Sequence, residues 1–200
     1  MTPFSTLQRE TSDLFVPQRR GLIKGAGMLS AGALLMLAGA PTRAQGMGAN
    51  SESDARILNV ALALEHEAIN AYQLGAESGL LQKPVLALAV RFQSDHKAHR
   101  DALVATIDKL GGKPAPALTL QEYAKALDAA KLKSQNDVLD LAARLELGAT
   151  NAYLGVIPAF KDAQLAKIAG RLATDETLHW TLLNNALGRP LPATALSFGA

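Results

Sequence analysis

The chain contains no cysteine among its 200 residues. Disulfide bonds, iron–sulfur clusters and zinc sites made of thiolates are therefore excluded for this chain. A bound metal ion would have to be held by nitrogen and oxygen ligands. Imidazole is scarce as well, because the chain has only 4 histidines. The positions of these few histidines therefore carry much of the functional information.

The chain also lacks an apolar run long enough for an ordinary membrane-spanning helix. The run 25–40 falls short of the ~20 residues that a span needs. It follows Arg19-Arg20-Gly21-Leu22-Ile23-Lys24 and precedes Pro41-Thr42-Arg43-Ala44, an arrangement that resembles a twin-arginine signal peptide. The resemblance implies a leader over 1–44, the twin-arginine translocation machinery as a partner, and a periplasmic location. An uncleaved membrane anchor is the alternative.

The excess of positive charge disappears once this leader is set aside. The whole chain carries a formal charge of +2, but the leader holds five basic and two acidic residues, so the remainder is left at about −1. Nucleic-acid binding normally requires clustered lysine and arginine. The mature chain shows no such cluster, and we do not expect it to bind nucleic acid.

The residues after the leader suffice for one domain with its own core, and not for two. Glycine, serine and asparagine dominate 45–53, which we interpret as a linker. The pattern predicts a helical domain over 54–188. Residues 189–200 are expected to form a flexible tail, because Gly188 and Pro190 end the last helical pattern.

Apolar residues recur every three to four positions through the domain, and no strand-like alternation is present, so the fold class is all-α. Four long helices are predicted over 54–78, 84–110, 134–156 and 158–187, with a short helix over 119–130 that opens on a capping-box sequence. Short turns join the first two and the last two helices. The expected architecture is an antiparallel four-helix bundle of two hairpins with a long crossover.

The hairpins repeat one another in sequence. Leu64-Glu65-His66-Glu67-Ala68-Ile69-Asn70-Ala71-Tyr72 aligns with Leu145-Glu146-Leu147-Gly148-Ala149-Thr150-Asn151-Ala152-Tyr153. Farther along each hairpin, Asp95-His96-Lys97-Ala98-His99 corresponds to Asp175-Glu176-Thr177-Leu178-His179. Two residues three apart share a helix face, so each of these pentapeptides can present two ligands in one direction. The repeat therefore predicts a paired site.

The candidate ligands lie on apolar helix faces. Glu65 shares its face with leucine, alanine and tyrosine, and Glu146 does the same. His99, Glu176 and His179 also fall on stripes of leucine and alanine. A carboxylate buried in this way must be protonated, paired or bound to a cation. Carboxylates and imidazoles that converge from four helices favour one or two multivalent cations.

This pattern resembles the ferritin-like di-metal carboxylate superfamily, in which two helices each give a Glu and the other two each give Glu-x-x-His. The resemblance implies a four-helix bundle with two iron ions, manganese or zinc being alternatives. It makes Glu65 and Glu146 ligands, Glu176 a bridging ligand, and His99 and His179 terminal nitrogen ligands. More narrowly, the chain resembles exported bacterial ferritin-like domain proteins.

The resemblance also implies roles for residues around the metals. Tyr72 and Tyr153, each seven residues after its Glu, occupy positions where a tyrosine often lies beside the metals; core packing with a hydrogen-bonded hydroxyl is the alternative. Asp95 and Asp175 match aspartates that orient the facing histidine. The neighbouring His66 and Glu67 are not expected to be ligands, because they lie about 100° or more around the helix from Glu65.

One position departs from the family pattern. The carboxylate expected to bridge from the second helix is replaced by His96, so the set has three carboxylates and three imidazoles. Two divalent ions would then leave the site with a net positive charge. A single metal, or an unequal pair that contains zinc or manganese, becomes credible, and His96 stays among the candidate metal ligands.

Two functions remain open on the sequence. The first is an exported oxidoreductase or ferroxidase whose metals react with O₂ or peroxide. The second is a non-catalytic envelope protein that uses the site for structural metal binding or metal buffering, which the His96 replacement favours. Association into a homo-oligomer is left open by the sequence.

Overall fold

The structure, a computed structural model, describes residues 48–199. The predicted leader and the first residues of the predicted linker lie outside this range. All regular elements within it are helical, as the apolar periodicity predicts. Across 48–199, no helix combines the length and apolar character needed to cross a membrane.

Five α-helices and two short 3₁₀ turns make up the described chain. The α-helices are α1 (Ala49–Glu77), α2 (Lys83–Lys109), α3 (Leu120–Ala126), α4 (Gln135–Val156) and α5 (Ala163–Ala186). The 3₁₀ turns are Ala129–Lys131 and Ile157–Ala159. Helices α1 and α2 form one hairpin, and α4 and α5 form the other, in the predicted order.

The first helix begins earlier than the sequence pattern indicates. It starts at Ala49, so the second half of the predicted linker is helical. Glu52 lies in the first turn, where a negative charge complements the helix dipole. It also pairs with Arg56 one turn later at 2.8 Å. These local interactions extend the helix beyond its apolar stripe.

The last helix begins later than expected. Pro158, the predicted start, belongs to the 3₁₀ turn, and α5 starts at Ala163. The Asp162 side chain caps this start by accepting a hydrogen bond of 2.7 Å from the Gln164 amide. The start of α5 is therefore set by the Asp162 cap and not by Pro158.

The crossover between the hairpins is fixed to the bundle by Asn59 of α1. Its side chain donates to the Lys113 carbonyl at 3.0 Å and accepts from the Ala115 amide at 2.6 Å. Farther on, the Thr119 and Glu122 capping box opens α3, as predicted. The long connection is thus held by specific hydrogen bonds.

The core consists of two apolar clusters with a polar layer between them. One cluster contains Leu58, Leu62, Leu103, Ile107, Tyr153, Leu165 and Leu172 among its buried members. The other contains Tyr72, Phe92, Leu139 and Leu183 with several alanines. On each long helix the predicted ligands fall between the residues of these two clusters. The fold therefore places the polar layer at mid-height of the bundle.

The C-terminal segment 189–199 has no helix or strand, yet it contacts the bundle. The Phe198 ring packs edge-on against Trp180 with centroids 5.2 Å apart. The Gly199 amide donates to Asn151 Oδ1 at 2.7 Å. An aromatic contact and a hydrogen bond therefore connect the last described residues to the bundle.

Gly75 of α1 packs closely against Val138 of α4. A Cβ at this position would lie 2.9 Å from Val138 Cγ1, whereas a Cβ at Gly148 of α4 would meet nothing within 4 Å. Overpacking costs about 1–3 kcal/mol, and replacing a helical glycine by alanine gains about 0.5–1 kcal/mol. We expect Gly75→Ala to destabilise the protein by about 1 kcal/mol and Gly148→Ala to stabilise it.

Urea denaturation of the two variants beside the parent protein checks this. Equal stabilities for Gly75→Ala and Gly148→Ala would show that the α1–α4 contact is looser than the structure indicates. Relief of the Gly75→Ala defect by Val138→Ala would locate the contact.

Candidate metal centre

Six predicted ligands from four helices meet in the polar layer. Glu65 comes from α1 and Glu146 from α4, whereas α2 gives His96 and His99 and α5 gives Glu176 and His179. The exposed fractions are 1% for Glu65, His96 and Glu146, 0% for Glu176, 5% for His179 and 9% for His99. All six side chains are therefore withdrawn from bulk water.

The six side chains form two overlapping groups of four. The first is Glu65, His96, His99 and Glu176, and the second is His96, Glu146, Glu176 and His179. Within each group one ligand atom per residue lies within 4.8 Å of the others. His96 and Glu176 belong to both groups, so they occupy the two shared positions of a pseudo-symmetric site.

Glu176 presents one carboxylate oxygen to each group. Its Oε1 lies 3.2 Å from His99 Nδ1, and its Oε2 lies 3.2 Å from His179 Nδ1. This is the placement expected of a bridging carboxylate. The three residues meet because α2 and α5 carry their pentapeptides at the same height of the bundle.

His96 takes the corresponding shared position on α2. Its Nδ1 lies 2.8 Å from Glu65 Oε2 and its Nε2 lies 3.2 Å from Glu146 Oε1. The imidazole therefore stands where the resemblance leads one to expect a second bridging carboxylate, and each of its nitrogens faces a different group.

The two tyrosines bond across the bundle. The Tyr72 hydroxyl on α1 donates to Glu146 on α4, and the Tyr153 hydroxyl on α4 donates to Glu65 on α1. The sequence placed each tyrosine near the metals but suggested no partner for it. The crossed pairing arises because each tyrosine lies two turns from its own glutamate and faces the opposite hairpin.

The two aspartates also pair with histidines of the opposite hairpin. Asp175 Oδ2 lies 3.3 Å from His99 Nε2, and Asp95 Oδ2 lies 3.5 Å from His179 Nε2. A carboxylate at Nε2 leaves Nδ1 facing the cluster, which is how such partners orient a ligating histidine. Asp95 is held in turn by Arg91 at 3.0 Å.

His66 and Glu67 stay outside both groups. The His66 ring is partly exposed, and its Nε2 lies 3.3 Å from the Ala115 carbonyl oxygen of the crossover. Glu67 is also partly buried, and burial raises the pKa of its carboxyl. Both residues therefore lie apart from the cluster, in agreement with the helix geometry.

Sequence reasoning missed one neighbour of the cluster. The Phe92 ring stacks on His179 with centroids 4.0 Å apart and an angle of 27° between the rings. Phe92 lies seven residues before His99 and therefore on the same helix face, but only the packing of α2 on α5 shows that it covers the histidine of the other hairpin. Phe92 restricts the orientations of the His179 ring.

Charge pairing shifts the pKa values of the carboxyls inside the cluster. Burial alone would raise the pKa of Glu65, but His96 and His99 hold it below the usual value of 4.5. The same competition lowers the pKa of Glu146, where His96 and His179 outweigh burial. Burial prevails at Glu176, whose pKa is raised. Burial and the nearby carboxylates also raise the pKa of Tyr72 and Tyr153, so both hydroxyls stay protonated.

The histidine pKa values shift upward. Burial would lower the pKa of His99, but Glu176 and Glu65 raise it from 6.5 to about 10. Glu146 and Glu176 raise the pKa of His179 to about 9 in the same way. The pKa of His96 is raised well above its usual value by Glu146, Glu65 and Glu176. In the metal-free protein, protons on the imidazoles balance the buried carboxylates.

Several buried ligand atoms make no hydrogen bond within the described chain. These are His99 Nδ1, His179 Nδ1, Glu146 Oε2 and both carboxylate oxygens of Glu176. Orphaned buried polar atoms are costly and call for a missing partner. All five belong to predicted ligands of the two groups, so the donor set fits one or two cations with nitrogen and oxygen coordination.

A small apolar cavity lies beside the cluster, toward the end of the bundle where α1 joins α2. Its volume is about 10 Å³, which is close to one water-sized probe. The lining residues are Tyr72, Gly75, Leu81, Val85, Leu88, Ala89, Val138, Leu139, Ala142 and Leu183. Tyr72 lines this cavity and donates to Glu146. The cavity lining does not include Asp95 or Asp175, whose side chains are 30% and 52% exposed.

A four-helix bundle whose long helices all send carboxylates or imidazoles into one buried layer fits a metal-binding role. Residues 53–189 match the family described as the ferritin-like domain, and the chain belongs to that family. The resemblance seen in the sequence is thereby confirmed at the level of the family and of the helical bundle.

The fold is also similar to the crystal structure of a conserved hypothetical protein from Mycobacterium tuberculosis. The two share 24% sequence identity with a TM-score of 0.59, over 72% of this chain and 98% of the other. At that identity the likeness shows the fold alone. No curated protein matches this chain.

The raised histidine pKa values predict how stability depends on pH in the metal-free protein. A folded-state pKa of about 10 at His99, against a usual 6.5, gives stability that is full below pH 6.5 and is lost as the pH rises toward 10. His179 acts in the same direction, up to about pH 9. After removal of metal by a chelator, we expect the free energy of unfolding to fall between pH 6.5 and 9.

Chemical denaturation at several pH values in this window measures the slope, and His99→Gln should reduce it. A stability that is flat from pH 6.5 to 9 would mean that the imidazoles are not protonated in the folded metal-free protein.

Proposed function

We propose that this protein is an exported ferritin-like metal-binding protein whose buried carboxylate–imidazole cluster holds two ions, with iron as the first candidate and manganese or zinc as alternatives. The observation that carries the proposal is the set of five orphaned buried ligand atoms on His99, Glu146, Glu176 and His179. Export through the twin-arginine machinery to the periplasm rests on the resemblance of the leader. Assembly with further copies stays an open part of the proposal.

The predicted ligands would have different roles in binding two ions. Glu65 with His99, and Glu146 with His179, would provide the end ligands of the two positions, and Glu176 would serve both. Tyr72 and Tyr153 orient Glu146 and Glu65 by donating to them: Tyr153 donates to Glu65 Oε1, away from the histidines, and Tyr72 donates to Glu146 Oε1, which also faces the histidines. Asp95 and Asp175 keep the Nδ1 atoms of the terminal histidines turned inward.

We further propose that the centre is an oxidoreductase or ferroxidase that reacts with O₂ or peroxide. Two redox-active ions, when bound, supply the electrons that reduction of such an oxidant requires. The apolar cavity at Tyr72 favours a small, uncharged reactant, because its volume is about 10 Å³ and its lining side chains carry no charge. Phe92 and the neighbouring apolar residues restrict water around the cluster.

A non-catalytic role is the second candidate, and the His96 position favours it. With a neutral His96, three carboxylates against two divalent ions leave a positive site, which stabilises a more oxidised metal pair less well than four carboxylates would. A structural or metal-buffering protein of the cell envelope needs no oxidised state. Air oxidation of the iron-loaded protein, followed by its absorption spectrum, separates the two roles.

Metal binding itself predicts a contrast between two variants. Glu176 serves both groups, so Glu176→Ala should abolish binding of Mn²⁺ or Fe²⁺ in isothermal titration calorimetry and in metal analysis. His66 lies outside the cluster, so His66→Ala should bind as the parent does. Circular dichroism confirms that both variants are folded.

Equal loss of binding in the two variants would contradict the assignment of helix faces. Unchanged binding in Glu176→Ala would contradict the proposed centre. The parent protein should bind two ions per chain. If the parent protein contains no bound metal after incubation with saturating metal, both the catalytic and the structural role are contradicted.

A further inference from the structure

His96 differs from the other histidines of the cluster in the way it uses its two nitrogens. His99 and His179 each turn Nδ1 toward the cluster and Nε2 toward an aspartate. The His96 ring has no such aspartate. Its Nδ1 meets Glu65 at 2.8 Å and its Nε2 meets Glu146 at 3.2 Å, so both nitrogens face ligands.

The atoms around His96 divide into two matching donor sets. The first comprises Glu65 Oε2, His99 Nδ1, His96 Nδ1 and Glu176 Oε1, and the second comprises Glu146 Oε1, His179 Nδ1, His96 Nε2 and Glu176 Oε2. Each set has two nitrogens and two oxygens. Four donors of these types are what a tetrahedral ion such as Zn²⁺ takes.

The distances within each set match this geometry. Two ligands on one tetrahedral ion, each at about 2.0–2.1 Å, lie about 3.3 Å from one another. Glu176 is 3.2 Å from both His99 and His179. Glu65 lies 3.6 Å from His99, and Glu146 lies 3.5 Å from His179. His96 completes the sets at 2.8 and 3.2 Å from these two glutamates, and its Nδ1 lies 3.8 Å from Glu176 Oε1. Small adjustments therefore suffice to admit one ion in each set.

Building on the proposed two-metal function, we propose that His96 is a bridging ligand that gives Nδ1 to one metal ion and Nε2 to the other. Each nitrogen gives up any proton it carries to solvent when its ion binds, so the bridging ring has no N–H and carries one negative charge. The ring then replaces the bridging carboxylate, with Glu176 as the remaining bridge. The departure from the family pattern becomes a different way of joining two ions.

The bridge sets the separation of the ions. Across an imidazole ring the two ions lie about 6 Å apart, because each metal–nitrogen bond adds about 2 Å to the width of the ring. Two-metal centres joined by single atoms or carboxylates hold their ions about 3.5–4 Å apart. Metal separation therefore distinguishes this bridge from the arrangement usual for closely paired ions.

The direct test is a crystal structure of the protein loaded with Zn²⁺ and recorded at the zinc absorption edge. We expect two zinc ions about 6 Å apart, each bonded to one nitrogen of His96. Two ions about 3.5–4 Å apart, with His96 on one of them or on neither, would overturn the bridge. A single ion bonded to one His96 nitrogen would overturn it too. These outcomes leave metal binding intact, whereas no bound zinc, manganese or iron would remove the proposed function as well.

A pair of variants tests the same bridge in solution. His96→Gln removes a ligand from both ions, whereas His99→Gln removes one ligand from the first ion alone. In zinc titrations followed by native mass spectrometry, His96→Gln should weaken both binding steps at least tenfold, and His99→Gln should weaken one. Selective weakening of a single step by His96→Gln would contradict the bridge. Circular dichroism of each variant verifies the fold.

Discussion

The burial of three carboxylates in the middle of a helical bundle is the constraint on which the rest of this structure depends. Glu65, Glu146 and Glu176 are each at most 1% exposed, and an uncompensated buried charge costs several kcal/mol. Three imidazoles face these carboxylates, and each histidine pKa is raised in consequence. Protons can therefore balance the layer in the absence of metal, but they leave five ligand atoms without a hydrogen bond. Cations bound at the centre would satisfy those atoms.

The duplicated hairpin explains how one small domain meets this constraint. Each hairpin contributes an end glutamate, an end histidine and one shared ligand, and each stabilises the other through Tyr72 and Tyr153. Apolar clusters above and below the layer fix the heights of the four helices. Neither hairpin completes a group of four ligands alone. Assembly of the site therefore accompanies packing of the two hairpins.

The sequence predicted the class of fold, the four long helices and the six clustered residues, because periodicity and repetition are local properties of the chain. It did not predict the starts of α1 and α5, which depend on the Glu52–Arg56 pair and on the Asp162 cap. It also missed the crossed tyrosine bonds and the stacking of Phe92 on His179, because these contacts depend on how the hairpins are packed. His96 stood out as a departure in the sequence, and the structure adds the direction of its two nitrogens.

Stabilisation of the folded state by metal tests the central claim most directly, because a ligand that binds only the folded chain raises its stability in proportion to the logarithm of its concentration. The measurement is the thermal unfolding temperature of chelator-treated protein against rising concentrations of Mn²⁺, Zn²⁺ or anaerobic Fe²⁺. The account predicts a steady rise with at least one of these ions and its reversal by a chelator. An unfolding temperature that stays the same with all three ions would contradict it.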